Sequence, residues 1–169
     1  MIIFILIGIP ITLFLFSVFN DNSIEHYTTN TFKPEVINKE ISGKVYNVWI
    51  QHDIISNYIK GMNIHAQFAI YNAQNKPCNI SSYFFYDTGI RLNDFDGMFT
   101  STEGQVAVGN SFIPQYINSN FNDFILFMPY NQLHMGTGIY RLNLIVTLAQ
   151  ENGTLISTSK PVEFIFNQY

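Results

Sequence analysis

The residues most able to do chemistry lie in one stretch, DTGIRLNDFDGMFTSTE at 87–103, which carries Asp87, Asp94, Asp96 and Glu103. Half of the acidic residues beyond position 40 fall here. Calcium takes six to eight hard oxygens from a flexible loop, and carboxylates at this density could supply several of them. Asn93-Asp94-Phe95-Asp96-Gly97 resembles the middle of a calcium loop, and Glu103 falls where the last ligand of such a loop stands. Leu92 occupies the place of the first ligand, and no flanking helices are predicted. The stretch is also readable as a solvated loop in which Asp and Gly make turns. Calcium is therefore the one cofactor the sequence suggests.

The other reactive residue types are sparse. The histidines are His26, His52, His65 and His134, and no two have metal-ligand spacing within one motif. Cys78 is the single cysteine, so an internal disulfide and a cysteine-rich zinc site are both excluded. Beside Pro77 in an apolar run, it reads as a small buried hydrophobe. Neither Gly136-Thr137-Gly138 nor the stretch from Gly104 to Gly109 has the phosphate-loop pattern. No nucleophile stands beside a base, so the chain is expected not to be an enzyme. The formal net charge is −4, with eight scattered Lys and Arg, so no basic stripe exists to meet nucleic acid. Asn79 and Asn152 fit the glycosylation acceptor pattern, and Asn152 lies in a predicted turn. Tyr83, Phe84, Phe85 and Tyr86 are contiguous, so a strand must point two of them each way. If one pair is exposed beside the acidic stretch, it forms a surface for a protein partner.

These side chains need strands to hold them. Sixteen Phe and ten Tyr, with many Ile, favour a pleated surface. Alternation of apolar and polar residues predicts strands at 45–52, 62–71, 78–86, 106–112, 121–130, 138–150 and 154–166. Pro161 demotes part of the last to an edge or a bulge. About seven short strands without a helical period read as an all-β sandwich, with a closed barrel as the main alternative.

The segment LHMGTGIYRLNLIV at 133–146 resembles the approach to one strand of immunoglobulin-like domains: a Gly-bearing turn, a tyrosine, then alternating apolar residues. The resemblance implies an immunoglobulin-like β-sandwich in which Tyr140 packs a corner and bonds back to the turn backbone. The family's two cysteines are absent, and Trp49, the only tryptophan, does not stand where the family's core tryptophan does. Tyr140 and Trp49 are the structural residues to follow.

Ahead of the domain, residues 2–19 read IIFILIGIPITLFLFSVF without a charge. This is near the lower length limit for a membrane helix. The sequence thus predicts an N-terminal hydrophobic helix at 1–20 (an anchor or signal segment), a polar linker at 21–40 and a β-sandwich at 41–169. The expected placement is membrane-anchored with the domain extracellular or periplasmic, or secreted if the segment is cleaved. The working function is a non-enzymatic interaction or structural module. A calcium-dependent or carbohydrate-binding sandwich is the first rival, and a small enzyme or inhibitor the second.

Overall fold

The computed structural model describes residues 39–169. The chain starts with a hairpin of two long strands, β1 (Ser42–Ser56) and β2 (Ile59–Tyr71). Its two-residue turn is Asn57-Tyr58, with φ of 49° and 65°. Positive φ at both central residues matches the right-handed twist of the flanking strands. On β2, Met62, Ile64, Ala66, Phe68 and Ile70 are all buried, the period-2 face that the sequence predicts. β2 is the middle of a three-stranded antiparallel sheet, between β1 and β5 (Asn118–Pro129).

The second sheet is also antiparallel. Its order is β4 (Ala107–Phe112), β3 (Cys78–Tyr86) and β6 (Gly138–Gln150). Both β7 (Leu155–Thr158) and β8 (Val162–Gln168) pair with β6. One predicted strand is therefore two. Pro161 offers no N–H, so a continuous ladder fails there, and Ser159 bridges the gap. Its N–H donates to the Val146 carbonyl at 2.8 Å, and its Oγ accepts the Val146 N–H at 2.9 Å.

The core lies between the two sheets. Met62, Ile64 and Phe68 from the first meet Ile80, Phe84, Leu142, Leu144, Val146 and Phe166 from the second. Cys78 is buried in a smaller cluster with Ile70 and Ala73, and burial pushes its thiol pKa up, which suits a packing role. The two sheets also touch at one margin, where the Val45 N–H donates to Ser157 Oγ at 3.1 Å.

The fold corrects several expectations. It is all-β, with eight strands in two sheets of three and five rather than about seven, and it is sandwich-like without being specifically immunoglobulin-like. The corner bond expected of Tyr140 is missing among the described residues. The ring is half-buried against the core, and its hydroxyl lies across Gly136 and Gly138. The N-terminal hydrophobic helix at 1–20 and nearly all of the linker at 21–40 lie outside the described residues. Among the described residues no helix is long and apolar enough to cross a membrane, and the single helical element is a 3-10 turn at Tyr130–Leu133. No described element therefore supports the hydrophobic helix in the fold class, a membrane partner through the N-terminal segment, or a membrane-anchored placement.

Candidate functional site

The acidic stretch is largely exposed, with Asp and Gly making its turns, and it is tied down at a few buried points. Residues 87–106 fold back onto the end of the second sheet. The Leu92 N–H donates to the Phe84 carbonyl at 3.0 Å, and the Val106 N–H to the Leu92 carbonyl at 2.7 Å. Leu92 and Val106 are buried in the core, and Gln105 donates from Nε2 to the Phe84 carbonyl at 2.7 Å. The backbone is pinned on both sides of the carboxylates. The Asp94 N–H, for instance, donates to the Gly104 carbonyl at 2.9 Å.

Between these pins, Asp94 and Asp96 shape a tight turn. Asp94 Oδ2 accepts the Gly97 N–H at 2.6 Å, and Asp96 Oδ1 accepts the Met98 N–H at 2.9 Å. Short acidic side chains capture nearby backbone N–H groups in this way, which is why Asp and Gly recur here. His134 arrives from the connection between β5 and β6. It follows the 3-10 turn and has φ of 54°, a left-handed conformation. Its Nε2 lies 2.9 Å from Asp94 Oδ1 and 3.8 Å from Asp96 Oδ1. The exposed Phe95 ring stands edge-on to the imidazole at 5.6 Å.

The Asp94 side chain is almost fully covered, at 1% exposure. Burial pushes its carboxyl pKa up. The hydrogen bonds from His134 and from the Gly97 N–H outweigh burial, so the group is held below the usual carboxylate range. Asp94 is thus kept ionised, the state a metal ligand needs.

One ligand atom from each of Asp94, Asp96 and His134 can be chosen so that all lie within 4.8 Å of one another. Ligand atoms at the corners of a tetrahedron around zinc sit roughly 3.4 Å apart, given metal–ligand distances of about 2.1 Å. The observed 2.9 and 3.8 Å separations bracket that spacing. A ring nitrogen with two carboxylates suits zinc, manganese or a similar transition ion better than calcium, which takes oxygen ligands.

The four expected carboxylates do not converge. Asp87 is exposed at the end of β3, where its N–H donates to the Arg141 carbonyl at 3.2 Å. Glu103 forms an ion pair with Arg91 on the surface. Only Asp94 and Asp96 belong to the cluster, and its third member is His134, which sequence reasoning left out. No local signal could have found it, because the imidazole comes from 40 residues further along the chain.

The aromatic run divides as alternation requires. Phe84 is fully buried, Tyr83 and Phe85 are half-buried on the other face of the sheet, and Tyr86 is partly exposed. The four side chains make no single exposed patch. Trp49 lies outside the core and stacks on His65, with centroids 4.9 Å apart and planes at 10°. His65 Nδ1 pairs with Asp123 at 2.6 Å, while its Nε2 is buried without a partner. His52 pairs with the Tyr130 hydroxyl at 3.0 Å, so His52 and His65 do not meet. Asn79 lies on β3, where Ser111 Oγ donates to its side-chain oxygen at 2.7 Å, and Asn152 sits in the exposed turn before β7. No protein-family model matches the chain, and no curated protein matches it.

Proposed function

We propose that this domain is a binding module that holds a divalent transition cation at Asp94, Asp96 and His134. The observation that carries this reading is the convergence of two carboxylates and an imidazole from two separate connections. Each ligand-bearing segment is fixed by its own backbone hydrogen bonds. Binding is favoured over catalysis because Asp94 and His134 are locked to each other and to the turn backbone, and a cation would take the place of the proton they share. A carboxylate so constrained is suited to holding an ion and poorly placed to move a proton. The imidazole redirects the cation class from calcium, the ion that four carboxylates alone would suggest, to zinc or manganese.

Thermal melts of the full chain in zinc, manganese or calcium chloride test the reading. A cation that binds only the folded state stabilises it by about 2.7 kcal/mol at a hundred times its Kd. Zinc or manganese should raise Tm with concentration, calcium should have little effect, and His134→Ala should abolish the response. A melting temperature insensitive to all three ions would leave the cluster as a device that pins the 87–106 connection.

A further inference from the structure

A second candidate site lies at the same end of the domain and does not depend on the cation. The β1–β2 turn, the 3-10 turn and the end of β8 line an open surface depression of about 480 Å³. Its lining includes three tyrosines, Tyr58, Tyr130 and Tyr169, and three amide-bearing residues, Asn131, Asn167 and Gln168. The volume is within the range of small-ligand sites, roughly 300–1,000 Å³.

Tyr58 is the informative residue. It is fully exposed, so packing does not explain a large aromatic side chain there. It also occupies a left-handed position, φ 65°, which Gly or Asn would hold with less strain. A bulky side chain kept in a strained conformation at the edge of a depression points to use rather than to stability. Tyr169, equally exposed, flanks the same depression. Tyr130 is half-buried, with its ring against Phe166 and its hydroxyl engaged by His52 and by the Asp53 N–H at 2.9 Å, so it forms the fixed floor of the site.

The electrostatics narrow the ligand class. Lys60 carries the one charged side chain in the lining, and Asp53 pairs with it at 2.8 Å. An anion would find this cation already neutralised. Each amide offers two donors and an acceptor, which match hydroxyl groups that both give and accept. Tyrosine rings offer apolar faces with polar tips. A ligand with hydroxyls around its rim and C–H groups on its faces satisfies both. We propose that this depression binds a neutral saccharide, stacked on Tyr58 and Tyr169 and hydrogen-bonded by Asn131 and Asn167.

The test applies the full chain to an array of neutral and charged glycans in the presence of EDTA. Binding to neutral glycans is expected, and its persistence in EDTA separates this site from the cation cluster. Tyr58→Asn should weaken binding by tenfold or more while raising Tm, since Asn accepts the left-handed turn. Asn131→Ala should also weaken binding, and Tyr116→Ala, an exposed tyrosine on the β4–β5 connection, should not. A silent array, binding confined to charged glycans, capture of peptides instead of glycans on a parallel peptide array, or undiminished binding by Tyr58→Asn would each overturn the proposal.

Discussion

Asp94 is held through both of its oxygens, one by His134 and one by the Gly97 N–H. Its carboxyl is held below the ordinary value of 3.8, against burial, by His134 and the Gly97 N–H. A group whose pKa is depressed in the folded state adds stability that is fully present above its unfolded pKa. That stability is lost as pH falls from there through the lower folded value. Urea melts of the parent should therefore weaken as pH drops below about 4. Asp94→Asn should be less stable than the parent at pH 6, and the difference should shrink towards pH 2. An equal gap at both pH values would show that the carboxylate charge is not what holds the loop. His65 is a second residue held by a carboxylate, with Asp123 on one nitrogen and Trp49 across its face.

At the scale of elements, the break between β7 and β8 is the feature most dependent on a single side chain. Pro161 cannot complete the ladder, and Ser159 Oγ takes the Val146 N–H in its place. Val146 is fully buried, so no water stands ready to replace that acceptor. Ser159→Ala should cost about 1–3 kcal/mol, the penalty of a buried donor left unsatisfied. Urea denaturation measures it, and a cost near zero would mean that the backbone shifts to restore the pairing. The 87–106 connection shows the same logic from the other side. It looks like a loop because its polar residues dominate, yet Leu92, Gln105 and Val106 give it buried anchors. Those anchors are what hold Asp94 and Asp96 where His134 can reach them.

For the whole molecule, the two sheets share one core, so neither is expected to survive without the other. Val146→Asp buries an unpaired charge in the second sheet, at a cost far above typical surface changes. Trp49 sits on the first sheet, opposite His65 on β2, and is the only tryptophan. Its fluorescence should report the loss of the fold in the Val146→Asp variant, together with the far-UV circular dichroism. In the parent the two signals should change together on urea denaturation, as a single cooperative transition requires. Separate transitions would show that the sheets fold as independent units.

Most of the strands were legible in the residue pattern, short of the split of the last one into two. Alternation marks β3 and β6 at their observed limits and identifies the buried face of β2, because successive side chains on any strand must point to opposite faces. Pro161 announced a disruption in the last segment, although not that both halves would pair with β6. The strand order, the exclusion of Trp49 from the core and the partners of each histidine were decided only by the tertiary structure. So were the meeting of His134 with Asp94 and the gathering of Tyr58, Tyr130 and Tyr169 around one depression. The physical reason is range. Periodicity and turn chemistry are properties of neighbouring residues, whereas these contacts join connections that are brought to one end of the domain only when the two sheets pack.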